Sequence, residues 1–330
     1  MPTMKLRFLM PGEVPLANPD VALIESLRTE MLQRPGISEA RSPDEADALL
    51  IHEPWAFREW RYVARLMNDP VIGRAPHKVF TVNSDDAATG LLRGAYTCLA
   101  KNRFDPGLHA AIPFFAQPNE QVQPNAGLRT GNAPLLATWR GNPKSHRRLR
   151  GRLLALYGGS SAFQVESTES WWDHDAEEKL HYIRLLRSGK FALCPAGWGA
   201  ASMRIFESMA LGVAPVIIAD EFVEPAGPDW SSFSIRVREA DLPLLEPILE
   251  KYVGRYEEMG ALAHQAWLEH YQPSRLTAYY ADTLLRCMHG SAESSPPAEF
   301  QRWRSRRMYS ANGWTLPQRL SNRIKRALHV

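Results

Sequence analysis

Along this chain, short apolar runs alternate with stretches in which apolar residues recur every three or four positions. Lys5 to Met10 predicts a first strand, stopped by Pro11-Gly12, and Val21 to Gln33 has helical spacing. Ala48 to His52 (ALLIH) and Lys78 to Val82 (KVFTV) predict two more strands, the second running into the polar loop Asn83-Ser84-Asp85-Asp86. Residues 116–133, rich in Pro, Gln, Asn and Gly, read as a loop or linker. The pattern then restarts. Pro134 to Thr138, Phe191 to Cys194 and Val213 to Ile218 predict strands. His146 to Tyr157, Glu177 to Leu186, Met203 to Leu211, Leu242 to Tyr252 and Arg255 to Tyr271 predict helices, with Gly212 suited to cap the third. Strands alternating with helices predict an α/β protein with parallel sheets. Two such successions imply two Rossmann-like lobes, residues 1–130 and 131–290, followed by a linker and tail over 291–330. In such lobes ligands bind at the carboxyl ends of the strands.

Length and composition agree with this division. A chain of 330 residues suffices for two domains, and 45% hydrophobic with 23% charged residues is ordinary for a globular protein. A net charge of +3 excludes a polycation. Cys98, Cys194 and Cys287 lie far apart without metal-ligand spacing, so no disulfide framework or zinc site is expected, and a reducing compartment is. The apolar run near the N-terminus is interrupted by Arg7 and stopped by Pro11, too short for a signal peptide core. No stretch reaches the roughly eighteen uncharged apolar residues of a membrane span. The expectation is a cytoplasmic protein that touches membranes, if at all, from outside.

The segment from Lys190 to Asp220 (KFALCPAGWGAASMRIFESMALGVAPVIIAD) concentrates the chemistry. A strand ends at Cys194, a loop carries Pro195, Gly197, Trp198 and Gly199, and small residues lead into a helix. Free backbone N–H groups at a helix N-terminus carry partial positive charge and bind phosphate. Ser202 can cap that helix or donate to a phosphate oxygen. Arg204 offers a planar, permanently charged fork suited to a diphosphate. Glu207, three residues on and nearly on the same face, can accept both hydroxyls of a ribose. Together these describe a nucleotide-diphosphate site lacking both a dinucleotide fingerprint and a P-loop.

At these residues the chain resembles the exostosin family of glycosyltransferases, in its Cys-Pro-x-Gly, Ser-x-Arg, Glu, Gly-x-x-Pro-Val-Ile order. The likeness extends to Asp229-Trp230-Ser231-Ser232-Phe233 and back to Leu136 through Asn142, followed by Arg147-Arg148-Leu149-Arg150. It is weaker over His77-Lys78-Val79-Phe80 and Asp85, where Ser84 stands in place of the family's His. The resemblance implies a GT-B fold of two Rossmann-like lobes facing a cleft, the first binding acceptor and the second a nucleotide-sugar donor, often UDP-linked. It implies generally inverting transfer without a metal cofactor. Family members in animals and plants are anchored in the Golgi, whereas this chain looks like a bacterial, soluble member acting in surface polysaccharide synthesis.

On that basis Ser202, Arg204, the loop amides around Gly197, and Arg140 or Arg147 would stabilise the diphosphate leaving group. Inversion needs a base from the first lobe. Asp85, at the end of a predicted strand, is the first candidate, Glu53 beside His52 the second and Asp86 the third.

Competing readings stay open. Ser202 can be only a cap, Arg204 and Glu207 a surface pair, and the Asn83–Asp86 loop a turn. Asp173-His174-Asp175 looks like a metal-binding Asp-x-Asp, but capping of the following helix explains it equally. Trp171, Trp172 and Trp198 can stack on sugars, Trp198 best placed, or simply pack. The tail carries Arg302, Arg304, Arg306, Arg307, Arg319, Arg323, Lys325 and Arg326 with no acidic residue over 301–330, and Leu316, Leu320, Ile324 and Leu328 share one helical face. It can bind an anionic membrane, as suits a lipid-linked acceptor, or pack back on the first lobe. The rival functions are a non-catalytic nucleotide-sugar or glycan-binding protein, and nucleic-acid binding through the tail, which a near-neutral chain supports poorly.

Overall fold

The computed structural model describes every residue except 1–2, 11–12, 14–19, 54–61, 116–118, 171–174 and 309–330. It separates into two compact units: Met1–Leu99 with Arg103–Ala110 and everything from Tyr280 onward, and Ala100–Asn102 with Ala111–Tyr279.

The first unit is built on β1 (Met4–Phe8), β2 (Ile37–Glu39), β3 (Ala48–Glu53), β4 (Val79–Asn83), β5 (Arg93–Tyr96) and β6 (His109–Ala111), hydrogen-bonded in the order β2-β1-β3-β4-β5-β6. β1 pairs in parallel with β2 and β3, β3 with β4, and β4 with β5. A strand flanked on both sides and covered on both faces has no solvent face, which is why ALLIHE reads as a continuous buried run and not as an alternation. Helix α1 (Val21–Leu32) starts at Asp20, whose carboxylate accepts the Leu23 N–H, and buries Leu23, Ile24, Leu27 and Met31. The short α2 (Tyr62–Asn68) adds Tyr62 and Leu66 to the core.

The second unit holds β7 (Leu135–Gly141), α3 (Arg147–Tyr157), β8 (Phe163–Ser167), α4 (Ala176–Ser188), β9 (Gly189–Pro195), α5 (Met203–Ala210), β10 (Ala214–Ile218), α6 (Trp230–Phe233), β11 (Ile235–Arg236), α7 (Leu245–Glu250) and α8 (Tyr256–Ala266). Its five strands are parallel, in the order β8-β7-β9-β10-β11. Numbered within its own unit, each sheet therefore begins 2-1-3-4-5, and each has a topological switch point beside its first strand: between β1 and β3, and between β7 and β9. Crevices at the carboxyl ends of strands flanking such a point are where doubly wound folds bind ligands.

The units depart from the boundaries expected at 130 and 290. The polar stretch before β7 is held by the second unit. Gly127 N–H donates to the Ala210 carbonyl at 2.9 Å, and Arg187 reaches the Asn125 carbonyl at 2.7 Å. Past Tyr280 the chain rejoins the first unit through α9 (Pro273–Gly290) and α10 (Pro296–Trp303). Trp303 is fully buried in a cluster with Leu49, Ile51, Tyr62 and Leu92, and Met308 joins it. Buried Glu299 pairs with Arg93 of β5 at 2.7 Å, and Arg302 donates to the Leu91 carbonyl at 2.6 Å. The tail expected over 301–330 is thus seated on the first unit as far as Met308, while Leu316 to Leu328 and the last four cations lie outside the described residues. No helix among the described residues is long and apolar enough to cross a membrane.

Candidate functional site

At the switch point of the second unit, the ends of β7 and β9 and the start of α5 bring together three of the expected donor residues, Ser202, Arg204 and Glu207. Trp139, near the end of β7, is fully buried, yet two guanidinium groups lie over its ring: Arg204 at 5.6 Å and Arg150 at 5.8 Å from the centroid. Arg204 reaches back from the first turn of α5, and its Nε donates to the Arg140 carbonyl at 2.9 Å. This approach requires Gly141, because a Cβ there would stand 2.4 Å from Arg204 Nη2. Ser202 occupies the N-cap position in extended conformation, but its hydroxyl makes no capping bond. The simple cap reading therefore loses its observation, and the buried hydroxyl stands at the positive end of α5.

Glu207 lies one turn further along α5. Its Oε2 accepts the phenol of Tyr182 at 2.5 Å, and Arg204 lies 5.9 Å from the Tyr182 ring centroid. Burial pushes the Glu207 carboxyl above its ordinary range, while the Tyr182 hydrogen bond and the Arg204 charge offset part of that. The pairing expected as a bland alternative, Arg204 with Glu207 on the surface, does not describe these groups: Arg204 turns to β7 and Glu207 to α4. Beside Glu207 runs an apolar slot whose walls are Phe114, Val122, Met203, Phe206 and Trp267. The Trp267 indole N–H is buried with no partner among the described residues.

Other expected donor ligands stand apart. The Arg140 side chain is engaged by Glu166 at 2.8 Å and Glu178 at 2.9 Å. Arg147 is exposed on the first turn of α3, and Trp198 is 51% exposed in the loop after β9. The Gly197 N–H is turned inward to the Gly199 carbonyl at 3.1 Å, tightening that loop.

Two residues were given no role from the sequence, although Arg150 belongs to the Arg147–Arg150 segment that carries the resemblance. Arg150, buried on α3, donates to the Ala196 carbonyl at 2.9 Å and to the Pro195 and Asn142 carbonyls at 3.2 Å, so it clamps the loop after β9 to the end of β7. Tyr182 sits on a helix whose sequence signals only packing. The available hint was that both are polar-tipped residues phased onto buried helix faces.

In the first unit, the two leading base candidates meet at the carboxyl ends of adjacent strands. Register places Glu53 opposite Asn83. Glu53 is 3% exposed, and its two oxygens accept from Tyr62 and, at 3.2 Å, from the Asn83 amide. The Asn83 carbonyl oxygen accepts the Asp85 N–H at 2.9 Å, and Asp85 in turn accepts the Ala87 N–H at 2.8 Å. Burial raises the Glu53 carboxyl above its usual range; bonds from Tyr62, Asn83 and Thr81 reduce that rise, and the Asp85 charge adds to it. His52 accepts the Asp20 N–H at Nδ1, 2.8 Å away, which leaves Nε2 to carry the proton, 3.3 Å from Ser84 Oγ. Asp86 lies within 3.5 Å of the Cys98 thiol. Of the Asp173-His174-Asp175 motif, Asp175 caps α4 by accepting the Glu178 N–H at 2.8 Å. Asp173, His174, Trp171 and Trp172 lie outside the described residues.

The Exostosin GT47 domain matches residues 76–252, more than half of the chain, from just before β4 through β7–β11. A protein of Arabidopsis thaliana described as a probable glycosyltransferase is 32% identical over 146 residues, covering 40% of this chain and 27% of that protein. A probable glucuronosyltransferase of Oryza sativa subsp. japonica is 38% identical over 80 residues, 24% of this chain and 19% of its own. A probable β-1,4-xylosyltransferase of Arabidopsis thaliana is 36% identical over 80 residues, with the same coverage. The chain spans about a quarter or less of the length of these relatives. Among solved structures, TarM aligns with 81% of this chain and 58% of its own at 9% identity and a TM-score of 0.42.

Proposed function

From the premise that the chain belongs to the Exostosin GT47 domain family, we propose that it is a glycosyltransferase moving a sugar from a nucleoside diphosphate donor, UDP-linked in the first instance, to a glycan acceptor. The observation that carries this reading is the grouping of Arg204, Ser202, Glu207 and the α5 N-terminus at the switch point of the second sheet. The diphosphate takes the positive end of α5, with the Arg204 fork and the Ser202 hydroxyl supplying donors. Glu207 accepts the ribose hydroxyls, and the base lies on the side of the apolar residues Phe206 and Trp267 that adjoin Glu207.

As the glycosidic bond breaks, negative charge grows on the diphosphate. Arg204 is already oriented by the Arg140 carbonyl and the Trp139 ring, so little reorganisation is needed to meet that charge. Inverting transfer takes the acceptor proton to a base on the opposite face of the sugar. Asp85 is that base in this reading. Glu53, with both oxygens taken by Tyr62 and Asn83, serves instead to hold Asn83 and Asp85 in place. The acceptor is a growing surface polysaccharide or its lipid-linked precursor, and the basic residues after Trp303 give the protein affinity for an anionic membrane face. With leaving-group charge met by Arg204 and backbone N–H groups, the reaction needs no metal ion.

The test is calorimetry of the protein with UDP, ADP, GDP, UDP-glucuronate and UDP-xylose in EDTA, using wild type and Glu207→Ala, the two sugars being suggested by the relatives' names. Selective binding lost in the variant supports the reading, and a folded protein that binds none of them rejects it. For the base, Asp85→Asn is expected to bind donor normally and turn over at least about a hundredfold more slowly. Unchanged turnover would remove Asp85 from the mechanism.

A further inference from the structure

A phenol that donates to a half-buried carboxylate at 2.5 Å is an unusual thing to place on a helix whose other buried residues are Ile183, Leu185 and Leu186. Tyr182 is 9% exposed, so its hydroxyl needs a partner, but a backbone carbonyl would satisfy it at smaller cost than a carboxylate that must itself be desolvated. The same ring lies under the Arg204 guanidinium at 5.9 Å. One side chain of α4 therefore touches both charged groups of α5, its hydroxyl on Glu207 and its face toward Arg204.

We propose that Tyr182 is a positioning residue of the donor site, holding one oxygen of Glu207 so that the carboxylate presents its other oxygen to the ribose hydroxyls of a nucleoside diphosphate. This rests on the donor-site reading above.

The consequences follow from the groups around Glu207. Among the described residues, the charged or titratable ones are Arg204 on its own helix, Tyr182 from α4 and the buried Cys194 thiol from β9. On the slot side the walls are apolar, Trp267 and Phe206 among them. Burial works against the charged form, and the phenol and the guanidinium work for it. An ionised carboxylate accepts from ribose hydroxyls more strongly than the neutral acid, so donor affinity falls as pH drops through the Glu207 range. Removing the phenol removes one of the two supports and raises that range. The fall then begins at higher pH, and the carboxylate is also released from its single orientation.

The experiment is calorimetry on the full chain with UDP, ADP and GDP and their 2′-deoxy counterparts, from about pH 5.5 to 8.5, spanning the range between ordinary carboxylates and thiols. Wild type, Tyr182→Phe and Glu207→Gln are compared. In wild type the ribose form is expected to bind more tightly than the deoxy form. In Tyr182→Phe that preference shrinks toward unity, ribose-form affinity near pH 6 falls about ten- to a hundredfold, as for loss of a hydrogen bond to a charged group, and the acid limb moves to higher pH. A Tyr182→Phe protein that binds but keeps the wild-type preference and pH profile overturns the proposal. If wild type binds no diphosphate, or Glu207→Gln binds like wild type, the donor-site reading fails first and takes this inference with it. Should Tyr182→Phe not fold, 3-fluorotyrosine at position 182 replaces it. The more acidic phenol is a stronger donor and moves the acid limb to lower pH, and an unmoved limb overturns the proposal.

Discussion

Carboxyl groups rarely lose contact with water without a reason, and the buried Glu53 and the half-buried Glu207 have partners that are neutral hydroxyls and amides as much as cations. Glu53 and Glu207 are both raised by burial. A group that holds its proton more tightly folded than unfolded contributes stability below its unfolded range and loses it as pH rises through the folded one. Thermal melts across pH are thus expected to show Glu53→Gln losing less stability than wild type toward neutral and alkaline pH. The same variant separates stability from function. A glutamine at 53 keeps the Tyr62 bond but turns an amide donor toward the Asn83 amide, so Asn83 must flip or stay unpaired, and a flip withdraws its oxygen from the Asp85 N–H. Turnover is expected to fall by about tenfold, the worth of one such hydrogen bond, with donor affinity unchanged. Wild-type turnover in this variant would show that the chain of bonds from Glu53 to Asp85 is idle. Gly141→Ala asks the matching question in the other unit. The new methyl displaces a flexible guanidinium, not backbone, so the fold persists while diphosphate affinity drops by about tenfold or more, as for a lost charge-assisted bond. Equal affinity would show that Arg204 does not need its place against β7.

At the scale of elements, what the pattern of apolar residues revealed and what it hid have physical causes. The central strands β3, β4, β9 and β10 were legible because burial on both faces writes continuous apolar runs. Helix α5 was legible from its capping position and from Gly212 just beyond it, which adopts the left-handed φ of 68°. The edge strand β8 (FQVES) was not, because one open side lets it carry Gln and Glu. Nor was β5 (RGAY), whose charged Arg93 is neutralised by Glu299 from more than two hundred residues away, a pairing no local window contains. The donor constellation could be read because it is local, spanning 202–207. The clamp from Arg150 and the support from Tyr182 could not, because both reach across the sheet from other helices. Helix α10 decides between the two readings left open for the start of the tail, since Trp303 fills the first unit's core, as packing back on the first lobe requires. Trp303→Ala is expected to destabilise that unit by about 3–5 kcal/mol, as truncation of a buried tryptophan does. Denaturant unfolding measures it, and a loss under about 1 kcal/mol would mean that α10 is not part of the core.

At the scale of the molecule, the two sheets repeat one strand order but not one mode of closure. The second unit is nearly continuous, from Ala111 to Tyr279, and the first is completed only by the segment from Tyr280 onward. Protein chains leave the ribosome N-terminus first, and domains fold as units when their last essential residue appears. Here the half synthesised first is the half finished last. Until Trp303 and Glu299 emerge, Leu49 and Ile51 lack a covering and Arg93 lacks its countercharge. Nascent chains tethered so that residue 279 but not residue 299 has left the ribosome are expected to contain a protease-resistant second unit beside a first unit that is still cleaved, and those with residue 308 outside to resist throughout. During synthesis, the unit proposed to hold the nucleotide would thus exist for a time without its partner. A nucleoside diphosphate present in the cell would protect it in that interval, so the donor becomes a folding ligand before it is ever a substrate.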